Sequence, residues 1–511
     1  MSVSLKELIV VLCLSGIIFA SGRPTALHFM DVADFTRRRN IWFVLTITAF
    51  LSPSFWLFAP IAAPALYWGG KKDSNPLAFY LMLMTVIPAI PVQIPTNGLG
   101  IRELFPVEIF RLLSLCVLLP AAWRIRHSQT ARPPWDRIDA LVLGYGVLTA
   151  VLYVPPNLPN QVILQNSFTN IIRASFLYIL DAYLLYYVAS RTALTRRTIT
   201  ENLAALCLAG AILAITATFE SLKHWLLYTD LTARWGGNPL NMAYIVRGGQ
   251  VRAESAVGNP LALGYLLAIS FGCWQLLKSY LPHHRSKFIV PILLLLGLLA
   301  SFSRGPWLGA LVIYFAYIAL GERGRSRLIQ AALGFLGAST LVLISPIGDK
   351  ITRALPFLGG SVGRSTLTYR ELLADRGWQL IRIHPFFGDQ LALLKMQELR
   401  QGQGIVDMVN TYLGVALFYG FIGLGVFLAA IVIPFVRACR TAKRIQHHDP
   451  EAAQIGAALC ACVLGTMLML ADCSFIQGYA QMFYIFSGLC VAYTWRHQRK
   501  IGRTATTAPS T

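Results

Sequence analysis

Charge is scarce in this chain. Only 13% of its 511 residues are Asp, Glu, Lys or Arg, where a soluble domain carries about a quarter. Acid is scarcer still: 23 Asp and Glu stand against 44 Lys and Arg, a formal net charge of +21. Several motifs that carry common chemistries are also missing. There is no GxxxxGK[ST] loop to cradle a nucleotide's phosphates and no HExxH zinc pair. There is no Asp-x-Asp to grip a metal–nucleotide sugar. No CxxC pair occurs among the nine cysteines, most of which lie inside apolar runs as small buried hydrophobes. Any group transfer must therefore draw on energy already stored in the substrate, and neither metal nor cofactor is expected.

What is abundant is hydrophobicity, at 56% of residues and a mean hydropathy of +0.57. Apolar runs of bilayer-spanning length recur from end to end, which predicts an all-α polytopic membrane protein. The runs are 5–21, 41–60, 77–95, 104–122, 138–154, 171–189, 202–219, 259–279, 287–303, 305–320, 327–346, 411–436, 455–472 and 476–495. They number about fourteen, with 12–14 the range that window counting allows. The stretch 41–68 is too long for one helix and short for two, and is expected to be broken or re-entrant.

The basic residues cluster between apolar runs, as at Lys71-Lys72, Arg191/Arg196/Arg197 and Arg437/Arg440/Lys443/Arg444. That is the pattern of the positive-inside rule rather than of a nucleic-acid surface, and no nucleic-acid partner is expected. Loops 69–76, 123–137, 191–201, 280–287, 321–327 and 437–450 and the tail then lie in the cytoplasm. Loops 96–103, 155–170, 220–258 and 347–410 lie outside. Arg37-Arg38-Arg39 fall on the wrong side of this scheme, which points to misdrawn early spans.

Two outer loops, 220–258 and 347–410, are long enough to expect function. The second holds "LTYRELLADRGWQLIRI" (367–383), with Leu372, Leu373, Leu380 and Ile383 at helical spacing, an amphipathic lid. Four outer features carry polar residues suited to chemistry. Arg252 and Glu254 precede Gly258-Asn259-Pro260 at a span entrance. Arg304 sits between two back-to-back spans, where a guanidinium meets a functional partner, reaches lipid headgroups or pairs with a nearby acid. Arg370 is the lid arginine singled out, and His384 closes the lid before Pro385. Asp407, Asn410 and Tyr412 stand in "VDMVNTYLGVALFYGFIG" (406–423), a polar head fused to a span. Arginine's planar fork suits phosphate oxygens. Asp181 in mid-span, and Glu108 with Arg111, fit either an ion path or an internal salt bridge.

With these residues in view, the chain resembles the O-antigen ligase/polymerase superfamily of bacterial surface polysaccharides. Asn410, nine residues, Gly420, two residues and Gly423 repeat the ligase spacing. "SRG" at 303–305 and "RAESAVGNPLALGY" match its two arginine segments, and "YRELLADRGWQLIRIHPFFGD" is similar to its lid. The ligase's catalytic His would fall at 409, where this chain has Val409. The phrase "VDMVNTYL" looks more like the superfamily's exopolysaccharide polymerases.

The resemblance implies a GT-C-like bundle in a bacterial inner membrane, divided as 1–250 (N-terminal spans), 251–436 (ligase/polymerase-like core with loop 347–410) and 437–511 (C-terminal hairpin and tail). It implies glycan transfer from a polyprenyl-pyrophosphate-linked oligosaccharide, without metal or nucleotide, among membrane lipids and beside a flippase and chain-length regulator. Arg252, Arg304 and Arg370 would hold the pyrophosphate. Asp407, or else His384, would serve as base, with Glu254, Asn410 and Tyr412 as further candidates. A ligase acting on another acceptor, and a flippase using Asp181, Glu108 and Arg111, are the alternatives.

Overall fold

The computed structural model describes residues 3–95, 103–128, 132–152, 168–237, 245–247, 249–281, 285–322, 324–344, 364–401, 405–476 and 478–506. Within them the chain is all-α apart from two short hairpins. Parts of both long outer loops, 238–244, 248 and 345–363, lie outside the described residues.

Helix α1 (Val3–Ala26) is followed by two helices where one broken segment was expected. α2 (Val32–Leu51) and α3 (Phe55–Lys72) meet at Ser52-Pro53-Ser54. A proline disfavours helical backbone in the residue before it, and Ser52 is extended, with ψ 126°. α2 begins at Val32 rather than 41, so Arg37-Arg38-Arg39 lie in its first turns, not in a loop. The extra helix moves these arginines to the end that carries the basic loops. There Arg38 is fully buried, with Nε donating to Asp73 Oδ2 (2.9 Å) and Nη2 to Asp73 Oδ1 and Glu201 Oε1 (both 2.6 Å). Carboxylate oxygens of Asp34, Asp73 and Glu201 converge within 4.8 Å, and the Arg38 guanidinium stands where a cation would be held.

The expected span 77–95 is helical only over α4 (Pro76–Leu83). Pro88, Pro91 and Pro95 remove backbone donors from the rest of the run, and β1 (Val92–Pro95) pairs antiparallel with β2 (Glu103–Val107), Val92 opposite Val107. The expected span 104–122 thus starts as a strand. It becomes helical as α5 (Ile109–Leu113), a π-helical turn (Ser114–Leu118) and α6 (Leu119–Arg126). α7 (Arg137–Val151) precedes α8 (Phe168–Tyr178), a second π turn (Ile179–Tyr183) and α9 (Leu184–Thr192). Arg111 donates to Asp181 Oδ2 through Nε (3.0 Å) and Nη2 (2.7 Å), with Glu108 Oε1 at 3.7 Å. These three residues are partners of one another across the two π turns.

α10 (Arg196–Lys223) is an axis of the bundle, running from Glu201 beside Arg38 to Glu220 at the opposite end. α11 (Thr229–Arg234) and the β3–β4 hairpin (Val246–Arg247, Gln250–Val251) lead to α12 (Pro260–Tyr280). α12 starts as Gly258-Asn259-Pro260 foretells: Asn259 Oδ1 accepts from the N–H groups of Leu261 and Ala262, and proline occupies the first turn. α13 (Ser286–Ala300) and α14 (Arg304–Leu320) form the tight hairpin around Arg304, followed by α15 (Gly324–Ile344). The lid helix α16 (Arg364–Ile383) precedes α17 (Thr411–Ile445), α18 (Pro450–Leu470) and α19 (Tyr479–Thr506).

Among the described residues, six segments are long and apolar enough to cross a membrane: α1, Asn170–Thr192, α10, α12, α17 and α18. α13 and α14 are shorter apolar helices. α10, α12 and α18 are enclosed by other helices. α1 and α17 turn most of their apolar surface outward, the surface that lipid covers in a spanning protein. The chain is a multi-pass membrane protein.

Candidate functional site

The site lies at the end of α10 opposite Arg38. Glu201 and Glu220 are nineteen residues apart on one helix, roughly 28 Å at 1.5 Å per residue. Glu220 Oε2 accepts from the backbone N–H groups of Glu254 (2.9 Å) and Ser255 (2.8 Å), which fixes the turn after Arg252. Arg252 is 1% exposed. Its Nε donates to Ser301 O (3.2 Å) and its Nη2 to Ser303 Oγ (2.9 Å), so one guanidinium braces the link between α13 and α14. Two non-glycine residues near this contact have left-handed backbone, Ser255 (φ 48°) and Phe302 (φ 46°). Such conformations cost about 1–3 kcal/mol and persist where surrounding structure over-determines them.

Arg304 is the first residue of α14, half-buried, in electrostatic reach of Arg370 and Asp472. Arg370 reaches down from the lid, its Nη1 bonded to Asp472 Oδ1 and its Nη2 donating to Asp472 O (3.2 Å). The Asp472 carboxylate lies against Gly305, where any Cβ would collide with Oδ2. Asp407 is the next group in this set. Its Oδ1 accepts from Ser474 Oγ (3.1 Å), and its backbone carbonyl accepts from the lid's Tyr369 hydroxyl (3.0 Å). Burial pushes the Asp407 carboxyl above the ordinary carboxylate range, against the opposing pull of Ser474 and the Arg370 charge.

The structure thus brings Arg252, Arg304, Arg370 and Asp407 to one end of the bundle. His384 is elsewhere. It is exposed at the far end of the lid helix, fourteen residues from Arg370 and about 21 Å along the axis. Glu254 lines a cavity of about 140 Å³ with Pro88, Glu220, Tyr228 and Thr232. Burial, with Glu220 nearby, pushes its carboxyl up to about 8. Asn410 and Tyr412 have architectural partners: Asn410 Oδ1 accepts from Leu413 N–H (3.0 Å) as the cap of α17, and Tyr412 donates to Met467 O (2.6 Å). Asp472 and Ser474 were not singled out from sequence. The available signal was a charged residue ending the run 455–472, the same signal that marks Arg304.

The lid differs in one detail from the expected stripe. Leu373 and Leu380 face inward with Ile381, while Leu372 and Ile383 face out. The inner face and Val409 pack on the first turns of α17 in a small separate core. The motif glycine at 420 has a steric role. Gly420 (φ 67°, ψ −170°) interrupts α17 where Pro385-Phe386-Phe387-Gly388 crosses it, Phe421 N–H donating to Pro385 O (2.8 Å) and Asp389 N–H to Leu417 O (2.8 Å). A Cβ at 420 would collide with the Phe386 carbonyl. Gly420→Ala is therefore expected to lower stability by about 2 kcal/mol or more, read as a fall in thermal midpoint and faster proteolysis of the lid.

Residues 289–428 match the family model described as Wzy_C, O-antigen ligase. That match, confined to one segment of the chain, supports the O-antigen ligase/polymerase superfamily. The ligase-family segment runs from α13 into α17 and takes in Arg304, Arg370, His384, Asp407 and Asn410. Arg252 and Asp472 lie outside it in sequence and join it in space. No curated protein matches the chain. The matched segment supports a glycosyltransferase-like function of the ligase/polymerase type.

Proposed function

We propose that the chain is a Wzy-like polysaccharide polymerase of a bacterial inner membrane. It transfers glycan from a polyprenyl-pyrophosphate-linked oligosaccharide to an acceptor sugar hydroxyl at the periplasmic face, with no metal or nucleotide. The observation that carries this reading is the convergence of three arginines and one carboxylate, Arg252, Arg304, Arg370 and Asp407, at a single end of an apolar bundle.

The chemistry balances with those groups alone. The acceptor oxygen forms the new glycosidic bond as the bond between the anomeric carbon and the phosphate oxygen breaks. Polyprenyl diphosphate leaves with the electron pair, and the acceptor's proton goes to Asp407. A diphosphate is already a stable anion, so it needs charge stabilisation more than a proton. Arg304 and Arg370 provide that directly, while Arg252 sets the link on which Arg304 stands. Asp407 is the base because Val409 occupies the ligase's histidine position and His384 lies at the lid's other end. The outward apolar surface of α17 suits the isoprenoid tail and membrane lipids. A GT-C-like arrangement of about fourteen spans, and work beside a flippase and chain-length regulator, belong to the same proposal.

The ligase description of the matched segment favours a second reading, transfer of finished glycan to another acceptor. A flippase is less favoured because Glu108, Arg111 and Asp181 are engaged with one another. Purified protein in proteoliposomes, given a lipid-linked repeat unit, separates the three. A ladder of products is the expected result, a single transfer to an added acceptor would mean a ligase, and movement of the lipid without new bonds a flippase.

A further inference from the structure

We propose that Asp472 is a built-in competitor for the donor diphosphate. Its carboxylate holds the anion site made by the first turn of α14, Arg304 and Arg370, and the diphosphate must displace it to bind. This rests on the proposed diphosphate chemistry and adds to it a residue, an order of events and a link to the lid.

The first observation is the state of the α14 N-terminus. The first N–H groups of a helix have no intrahelical acceptor, and a serine at the cap position normally answers them. Ser303 holds that position but makes no cap bond. Its hydroxyl is turned away to Pro260 O (3.1 Å) and Ser301 O (3.0 Å) and is met by Arg252 Nη2 (2.9 Å). Residue 305 is glycine, so no side chain covers the turn there, while Pro306 has no N–H to offer and leaves the donors to residues 304 and 305. A helix start of this kind favours an anion, and the anion lying on it is Asp472.

The second observation is independent of the helix. Two guanidinium groups, Arg304 and Arg370, stand close enough to repel each other, and Asp472 is the acid placed against both. Arg370 Nε is shielded from solvent and makes no hydrogen bond among the described residues, so the Asp472 contact leaves part of the fork unused. A phosphate can engage a guanidinium through two parallel N–H groups, and a diphosphate brings more charge than one carboxylate. The exchange is thus favourable when the donor arrives.

The third observation gives the exchange a consequence. Arg370 belongs to the lid, whereas Asp472 belongs to the turn between α18 and α19. Moving Arg370 from Asp472 to the diphosphate transfers the lid's hold from protein to substrate. The same turn carries Ser474, the hydroxyl bonded to Asp407, so release of Asp472 reaches the base through two residues of backbone.

The test uses the full-length protein in nanodiscs with inorganic pyrophosphate as probe, comparing wild type, Asp472→Asn and Arg304→Ala by calorimetry. Asp472→Asn is expected to tighten pyrophosphate binding by about tenfold, and Arg304→Ala to abolish it. Equal or weaker binding by Asp472→Asn, with wild type binding and Arg304→Ala not, would overturn the competitor role and leave the diphosphate reading standing. Absence of binding in all three would overturn both. Asp472→Ser serves as a second variant if the asparagine form does not fold, with the same tightening expected. A purely structural role for Asp472 cannot strengthen binding.

Discussion

Arg304→Ala is expected to abolish polymer formation while protein level and membrane insertion stay normal. The expected loss is about 100- to 1000-fold in turnover, the scale seen when one preorganised stabiliser of developing negative charge is removed. Arg304 is a clean probe because of where it stands. Its side chain begins α14 and is only partly buried, so truncation opens no core cavity and a surface-like stability change, within about 0.5 kcal/mol, is expected. Removing it also relieves repulsion on Arg370. Arg252 is the poorer probe: fully buried and braced on Ser301 and Ser303, it would lose structure and activity together. Arg304→Lys should fall between wild type and alanine, since lysine keeps the charge but not the planar fork. Membrane fractions assayed for polymer length, alongside a tagged-protein blot, check this. Wild-type chain length in Arg304→Ala would remove the diphosphate role.

Much of the bundle was legible because a bilayer enforces one rule, about twenty apolar residues per helix. α10, α12 and α18 follow it closely. The failures have local causes. The run 77–95 is apolar enough, but hydropathy windows do not register that Pro88, Pro91 and Pro95 remove the donors a helix requires. The start of α2 is hidden in the sequence because three consecutive arginines read as a loop. They are helical because Arg38 meets Asp73 and Glu201, the latter contributed from α10, a pairing that no local window contains.

The site was legible in the same uneven way. A charge at a span end is visible in sequence, and that marked Arg304. Arg370 is visible too, as the lid arginine, but Asp472 is not, because Arg370 and Asp472 are 102 positions apart and meet only through the lid. Asn410 and Gly420 stood out by spacing alone, and the structure supplies reasons that spacing could not. One caps a helix, and the other leaves room for a crossing chain.

Asp407→Asn should cut turnover about 100- to 10,000-fold, the usual range for a lost general base, whereas His384→Ala should cost only a few-fold. Asparagine is nearly isosteric and can still accept from Ser474, so the fold is kept while the proton acceptor is lost. The pH profile adds a sign. A base works deprotonated, so activity rises as pH climbs through the carboxyl's pKa, and burial places that rise above the ordinary aspartate range. In Asp407→Asn this acidic limb should vanish, with whatever residual rate remains flat across it. Loss of the Arg370 charge, which now holds the carboxyl down, should move the limb to higher pH. Initial rates from pH 4 to 8 in proteoliposomes, for wild type and both variants, measure all of this. The reverse ranking would hand the base role to His384. That outcome would demand that the far end of the lid travel a distance comparable to the roughly 20 Å separating His384 from Arg370 along α16, a motion that the Gly420 crossing and the Asp389–Leu417 hydrogen bond oppose.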